Sequence, residues 1–166
     1  VTQDPSRQSP GSGDGAHPGT SGLDAAGPLD DGMQLAREVA ATVRTTTSPN
    51  PWVGAVLRTV DGRTFTGATE PPGGRHAEIV ALDAGRAAGA DPAGATVIVT
   101  LEPCSHHGLT PPCTDALIAA GVARVVYAVG DPDPLVSGRG AAALRAAGID
   151  VVAGIGATEA AEQLAP

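Results

Sequence analysis

One stretch of the sequence, residues 76 to 113, constrains the fold more than any other because it carries three side chains that suit a single metal ion. It contains the triplet His76-Ala77-Glu78, the pair Pro103-Cys104 and, after eight intervening residues, Cys113. One imidazole and two thiolates form a ligand set that suits tetrahedral zinc. Three protein ligands leave the fourth position open, which is typical of catalytic rather than structural zinc. The fold must therefore bring these three residues to one point.

Glu78 follows the histidine by two residues and is not needed as a metal ligand. It is therefore free to act as a general acid/base beside a water molecule that the zinc activates. A histidine and glutamate in this spacing, followed by Pro-Cys and a second cysteine, form the signature of zinc nucleobase deaminases. The pattern predicts hydrolytic removal of an amino group from a heterocycle.

The two cysteines have other interpretations. A disulfide bond is usual in secreted chains, but no apolar signal segment opens this sequence, so we expect reduced thiols and a cytoplasmic location. A closed structural zinc site would need a fourth protein ligand. His106 and His107 are the candidates, but their closeness to Cys104 makes them poor geometric choices. The sequence therefore favours an open zinc site.

Composition excludes several other functions. All ten basic residues are arginine, and without lysine neither a Walker-type phosphate loop nor Schiff-base chemistry is available. The net charge of -8 argues against a nucleic-acid partner, which calls for basic surface. No apolar run is long enough to span a bilayer, so we expect no membrane partner. The substrate is expected to be a small molecule.

Composition also divides the chain. Residues 1–29 are acidic and rich in Gly, Ser and Pro, and we predict that they form a disordered tail because they cannot offset the entropy of ordering. Residues 30–166 are predicted to form one domain. With 42% hydrophobic but only 2% aromatic residues, its core must be built from Val, Ile, Leu and Ala.

The domain has the pattern α-β-β-α-β-α-β-α-β-α. We predict a first helix capped by Asp30 or Asp31, a hairpin of strands Trp52–Val60 and Arg63–Ala68 around Asp61-Gly62, and a strand covered on both faces at Ala95–Leu101. This order implies a three-layer α/β/α domain with a mixed five-stranded sheet, whose later strands are parallel. Cys104 then follows the carboxyl end of a strand, where sites collect in open α/β sheets. We also expect His76 and Cys104 to lie where backbone N–H groups and the positive end of a helix dipole stabilise anions.

Longer motifs make a family resemblance specific. They are the segments 47–56 (TSPNPWVGAV), 76–78 (HAE), 100–113 (TLEPCSHHGLTPPC) and 131–140 (DPDPLVSGRG). Together they resemble the deaminase domain of the bifunctional riboflavin-biosynthesis family RibD, from about residue 30 to the end. Other cytidine deaminase-like enzymes usually have two residues between the cysteines. The resemblance implies the cytidine deaminase-like fold, one zinc ion, and deamination of a phosphoribosylaminopyrimidine to the corresponding uracil.

The resemblance assigns roles by position. His76, Cys104 and Cys113 would hold zinc, and Glu78 would shuttle protons. Asn50 would contact the pyrimidine, and Asp131 and Asp133 would contact the substrate from a loop. Each of these last three also has a plain alternative, which is turn chemistry beside proline.

Three departures from the family pattern concern how substrate is held. Leu109 stands where the family usually has Lys or Arg, Asp133 where it has Asn, and Thr69 where many members have His. Because Leu109 cannot pair with a phosphate, the remaining candidates for that role are Arg75, Arg139 and His107.

The departures leave two other functions open. One is a zinc deaminase of another aminopyrimidine or purine, and the other is an inactive zinc scaffold that docks a reductase. The expected partners are a pyrimidine ribotide substrate, further copies of the chain in a homo-oligomer, and a reductase domain or subunit.

Overall fold

The structure, a computed structural model, describes residues 28–107 and 111–164. Within these residues the helices and strands follow the predicted order. They are α1 (Leu29–Ala41), β1 (Gly54–Arg58), β2 (Thr64–Ala68), α2 (Ala77–Ala87), β3 (Thr96–Leu101), α3 (Cys113–Ala119), β4 (Arg124–Val129), α4 (Arg139–Ala146), β5 (Asp150–Ala153) and α5 (Ala157–Leu164).

The strands form one mixed sheet in the order β2-β1-β3-β4-β5. β1 is antiparallel to both β2 and β3, whereas β3, β4 and β5 run parallel. The predicted mixed five-stranded sheet, with a hairpin followed by parallel strands, is therefore confirmed.

This topology brings four chain segments to one edge of the sheet. The carboxyl ends of β3 and β4 lie there, and so does the start of β1, because β1 is antiparallel to β3. Gly54, the first residue of β1, pairs with Ala68, the last residue of β2, so the loop from β2 to α2 leaves the same edge. Cys104 and Asp131 follow β3 and β4 directly.

Helices cover both faces of the sheet. One core cluster packs α2, α3 and α4 against the sheet, and a second cluster packs α1 and α5 against the opposite face. Alternate residues of β3 supply the two clusters: Val97 and Val99 lie in the first, and Ile98 in the second. The three-layer arrangement and the largely aliphatic core that composition predicts are both present.

The start of α1 differs from the prediction. Neither Asp30 nor Asp31 caps this helix; Pro28 occupies the N-cap, without a side-chain cap hydrogen bond, and both aspartates lie in the first turn. Carboxylates there still interact favourably with the helix dipole. The helix begins at Leu29, which lies within the predicted tail and packs against the second core cluster. Residues 1–27 of that tail lie outside the described residues.

The hairpin connection is longer than predicted. β1 ends at Arg58 and β2 begins at Thr64, so five residues join them rather than two. The Thr59 hydroxyl donates to Asp61 and to the Arg63 carbonyl, and the Gly62 amide donates to the Thr59 carbonyl. These bonds within the connection replace the last ladder pairs of the predicted strands.

The first turn of α2 lies directly on the backbone of β2. A Cβ atom at Gly67 would collide with the Ala77 carbonyl oxygen and the Ala81 amide nitrogen. Only glycine permits this approach, which sets the depth at which α2 begins. His76 and Glu78 flank Ala77, so the same contact fixes both functional side chains.

Candidate metal centre and its pocket

Three predicted ligands meet at the sheet edge described above. The ligand atoms of His76, Cys104 and Cys113 all lie within 4.8 Å of one another. His76 Nδ1 is 3.2 Å from Cys113 Sγ and 3.6 Å from Cys104 Sγ. Among residues 28–107 and 111–164, this is the only such group of His, Cys, Asp or Glu side chains.

The spacing and chemistry of this group fit zinc. A tetrahedral zinc ion with bonds of roughly 2.0–2.3 Å holds nitrogen and sulfur ligands roughly 3.5 Å apart, close to the separations between His76 Nδ1 and the two sulfurs. One imidazole and two soft thiolates also match the preference of zinc. The three residues are thus arranged to hold one ion with a position left open.

Different elements deliver the three ligands. His76 occupies the N-cap of α2, as predicted, and Cys113 is the first residue of α3. Cys104 lies in the loop after the carboxyl end of β3. As expected, it also receives a hydrogen bond from a helix start, because the Cys113 backbone amide donates to Cys104 Sγ over 3.3 Å. An amide at a helix start stabilises a thiolate.

The three candidate ligands are joined by hydrogen bonds that shift their pKa values. A hydrogen bond from Cys113 lowers the pKa of the Cys104 thiol to about 4. The same bond raises the pKa of Cys113, since Cys113 is the donor. The bond with Cys104 also raises the pKa of His76. A divalent metal would take the place of the protons held between these groups.

Glu78 lies in the first turn of α2 with only 4% of its surface exposed. Burial raises the pKa of its carboxyl group above the usual value. The carboxyl group also interacts with the Cys113 side chain. A buried carboxyl group beside the ligand set, but outside it, is suited to moving a proton at the site.

A pocket of about 260 Å³ opens onto the ligand group. It is lined by Asn50, Pro51, Val53, Thr69, His76, Glu78, Leu101, Glu102, Cys104, His106 and Asp131. The pocket therefore joins the metal ligands and Glu78 to two predicted substrate contacts, Asn50 and Asp131. It also contains Thr69, whose hydroxyl accepts from the amide of Val53, the residue before β1.

The other predicted substrate contacts do not line this pocket. Asp133 is exposed in the loop after β4, and His107 is exposed in the loop after β3. Arg139 is the exposed first residue of α4, and its side chain pairs with no other described residue. Leu109 lies outside the described residues.

Arg75 is already engaged. Its guanidinium forms ion pairs with Glu70 at 2.6 Å and with Asp83 at 2.9 Å. Its backbone amide also donates to the Glu70 carboxylate. These contacts give it a structural role in the loop before α2.

The two aspartates of the loop after β4 shape that loop. Asp131 Oδ1 accepts from the Asp133 amide at 2.8 Å, and Asp133 Oδ1 accepts from the Leu135 amide at 2.9 Å. These are the turn contacts that the plain alternative expected. Asp131 also faces the pocket, so turn chemistry and substrate contact are compatible for this residue.

Glu102 is the residue of the pocket that the sequence analysis missed. It lies between Leu101 and Pro103 in the quoted Thr-Leu-Glu-Pro-Cys segment and is only 5% exposed. A charged residue directly after a buried apolar strand is the signal that could have drawn attention to it, because buried carboxyl groups need partners.

A further observation concerns membranes. Among residues 28–107 and 111–164, no helix combines the length and apolar character that crossing a bilayer requires.

Comparison with known proteins agrees with the geometry. The sequence profile of the cytidine and deoxycytidylate deaminase zinc-binding region matches residues 28–129. The riboflavin biosynthesis protein RibD of Mycobacterium tuberculosis is 52% identical over 128 residues, which are 76% of this chain and 37% of that protein. The RibD protein of Escherichia coli is 54% identical over 133 residues, which are 80% of this chain and 35% of that protein.

A solved structure shows the same fold. The diaminohydroxyphosphoribosylaminopyrimidine deaminase/5-amino-6-(5-phosphoribosylamino)uracil reductase of Thermotoga maritima superposes with a TM-score of 0.76 at 41% identity. The match covers 82% of this chain and 39% of that one, so the chain spans little more than a third of the relatives it matches. Its profile match, its ligand geometry and its similarity to RibD proteins together establish that this chain belongs to the cytidine and deoxycytidylate deaminase zinc-binding family.

Proposed function

We propose that this chain is a zinc-dependent hydrolase of riboflavin biosynthesis. It converts 2,5-diamino-6-(5-phosphoribosylamino)pyrimidin-4(3H)-one into 5-amino-6-(5-phosphoribosylamino)uracil and ammonia. The observation that carries this proposal is the convergence of His76, Cys104 and Cys113 beside the buried Glu78, next to a pocket that His76, Glu78 and Cys104 line. The similarity to RibD proteins, including one named as this deaminase and reductase, supports the choice of substrate.

Each step of the reaction has a residue that suits it. His76, Cys104 and Cys113 would hold a zinc ion, which would supply the Lewis acidity that makes a water nucleophile available near neutral pH. Glu78 accepts one proton from the attacking water and delivers it to the ring nitrogen, and it then transfers the second proton, from the new hydroxyl group, to the amine, which leaves as ammonia. The burial of Glu78 keeps this transfer away from bulk solvent.

Substrate recognition is assigned to the remaining polar groups of the pocket. The Asn50 amide offers both a donor and an acceptor, as the edge of a pyrimidine requires. Asp131 lines the same pocket from the loop after β4, where it would contact the ring. Arg139 is the better candidate for the ribose phosphate, since the guanidinium of Arg75 is paired with Glu70 and Asp83. His107 and Asp133, which are exposed and do not line the pocket, remain candidates for contacts with the ribose phosphate.

A specific observation favours a second function, which is deamination of another aminopyrimidine or purine. Among the described residues that line the pocket there is no arginine, and Thr69 stands where many relatives have histidine. A substrate without a phosphate would need neither. The third function, an inactive scaffold that docks a reductase, is disfavoured by the intact Glu78, since a scaffold needs no proton shuttle.

The proposed partners follow from the relatives. Because the chain matches little more than a third of the length of each RibD relative, we propose that it works with a reductase domain or subunit. We further propose a homo-oligomer in the cytoplasm, where the thiols stay reduced and available to zinc.

The test is a deamination assay on a small substrate panel. The zinc-loaded protein is incubated with the diaminopyrimidine ribotide, its dephosphorylated riboside, cytidine and guanine, and ammonia and absorbance are followed. We expect release of ammonia from the ribotide first, and no release after the metal is removed with a chelator. Preference for another member of the panel would show that the proposed substrate is wrong. No release of ammonia from any member would contradict the proposal that the chain is a deaminase.

A further inference from the structure

The carboxyl group of Glu102 ties together both ends of the loop after β4. Glu102 Oε2 accepts from the Asp131 amide at 3.3 Å and from the Gly138 amide at 2.9 Å. Glu102 Oε1 accepts from the Ala141 amide at 3.1 Å. Asp131 begins this loop, Gly138 ends it, and Ala141 lies in the first turn of α4.

These contacts make Glu102 the cap of a helix that lies elsewhere in the chain. Gly138 occupies the N-cap of α4 and has no side chain to satisfy the exposed amides. Its φ of 83° is one that glycine adopts without strain, and in this conformation its amide donates to Glu102. The carboxyl oxygens of Glu102 supply the acceptors that a Ser or Asp at the N-cap would otherwise provide.

The loop held in this way carries a wall of the pocket. Asp131 lines the pocket beside Asn50 and Glu78, and its own side chain then organises the turn through Asp133. The Glu102 backbone amide donates to the Val129 carbonyl, which extends the pairing of β3 and β4 to the point where both loops begin. Cys104 lies two residues beyond Glu102, so one short segment carries a metal ligand and anchors the opposite loop.

We propose that Glu102 is a positioning residue, which holds Asp131 at the distance from the metal centre that substrate binding requires. This inference rests on the proposed function, because it assigns Asp131 to the substrate. Glu102 itself takes no part in proton transfer. Its effect is transmitted by its three backbone hydrogen bonds, and Asp131 is the side chain through which it acts.

The first test removes the acceptors and examines the loop directly. In Glu102→Gln, an NH₂ group replaces one carboxylate oxygen. This donor then faces a backbone amide that is also a donor, so at least one hydrogen bond is lost. We expect faster hydrogen exchange at the amides of Asp131, Gly138 and Ala141, with the zinc content unchanged. Unchanged protection of these amides would overturn the proposal.

The second test measures KM and kcat separately, with and without Asp131. Losing hydrogen bonds that a carboxylate accepts should raise KM roughly tenfold and leave kcat within about threefold. In the Asp131→Ala background the same substitution should raise KM by less than about twofold, since the two residues act as one unit. Glu102→Asp, which keeps both oxygens, should recover part of the affinity.

The outcomes separate this inference from the proposed function. An equal rise of KM in both backgrounds, or an unchanged KM in Glu102→Gln, would overturn the positioning role while the wild-type enzyme remains a deaminase. A wild-type protein without turnover would overturn the proposed function and this inference with it.

A milder pair of variants covers the case in which Glu102→Gln fails to fold. Gly138→Ala strains the backbone at the residue whose amide donates to Glu102 Oε2. Gly148→Ala, at the other end of α4, is its matched control. The two glycines have φ values of 83° and 84°, and an added Cβ meets nothing within 4 Å at either position. We expect a similar loss of thermal stability in both, but a raised KM only in Gly138→Ala. Equal KM values would count against the positioning role.

Discussion

The pocket has two halves that are built in different ways. The metal half consists of His76, Glu78, Cys104 and Cys113, which come from three separate elements and contact one another. The substrate half consists of Asn50 and the loop 131–138, and the aspartate side chains of that loop mainly bond to the backbone around them. Tertiary packing fixes the first half, whereas local turns and a single anchor fix the second.

The departures from the RibD pattern fall only on the side of substrate recognition. Thr69 lines the pocket without contacting the ligand group, Asp133 belongs to the loop 131–138, and Leu109 lies outside the described residues. The residues of the metal half are those that carry the zinc deaminase signature in the sequence. The residues of the pocket therefore specify the reaction more closely than they specify the substrate.

The largest effect is expected in the metal half. Cys113→Ser should lower bound zinc from about one per chain to nearly none and abolish deamination, because two protein ligands hold the ion poorly. It should also lower the melting temperature, since metal that binds only the folded state stabilises it. Elemental analysis and a thermal melt measure both. Asp115→Asn, an exposed residue of the same helix, is the control, and a variant of Cys113 with full zinc would refute the ligand assignment.

The next effect separates metal binding from proton transfer within the same half. Glu78→Gln should keep zinc and fold but lose at least ~10²-fold in kcat, the low end of what a positioned acid/base contributes. Zinc analysis and steady-state turnover decide the outcome. Glu159→Gln is a matched control, since Glu159 also lies in the first turn of a helix. Near-normal turnover in the zinc-replete Glu78 variant would remove this residue from the mechanism.

A smaller effect is expected for the phosphate contact. Arg139→Ala should raise KM for the phosphorylated substrate by roughly tenfold to a hundredfold, which corresponds to about 1.5–3 kcal/mol for a charged hydrogen bond. The dephosphorylated riboside should be unaffected. Arg75→Ala is the comparison variant and should change KM little, because its guanidinium is already paired with Glu70 and Asp83.

A gain of function tests the same contact from the other direction. Leu109→Arg adds the positive charge that the family resemblance leads us to expect at this position. It should improve kcat/KM for the ribotide and leave that for the riboside unchanged. If neither Arg139→Ala nor Leu109→Arg distinguishes ribotide from riboside, the phosphorylated substrate is wrong, although the deaminase chemistry would stand.

The smallest effect is expected outside both halves. Deletion of residues 1–27 should leave kcat/KM and the melting temperature unchanged, because their Gly, Ser and Pro content offers little apolar surface to bury. Assay and thermal melt of the shortened chain check this. A clear loss of either would show that the segment contributes to the site or the core.

The sequence predicted most of the metal half because its signals are local. An unbroken apolar run ending just before Cys104 placed that residue at a strand end, and the helical pattern beginning at His76 placed the histidine at an N-cap. The amide that Cys113 donates to Cys104 could not be predicted, because it depends on how the end of the loop packs.

The substrate half was harder to predict because its contacts join distant residues. Nothing near Glu102 in the sequence indicates that it caps a helix more than thirty residues away. The pairing of Arg75 with Asp83 likewise depends on the angle at which α2 leaves its loop.

The turn signal at Asp61-Gly62 gave a wrong prediction of a two-residue turn, because side-chain hydrogen bonds widen this connection.

The contact between Gly67 and the first turn of α2 has a consequence for engineering. A designer who moves this metal centre to another scaffold would copy the ligands and the acid/base residue first. Gly67 on the neighbouring strand must be copied as well, because its lack of a side chain lets the backbone of α2 pack close to the sheet. Saturation of this single position should yield almost no active variants, although Gly67 is neither one of the three candidate ligands nor one of the residues that line the pocket.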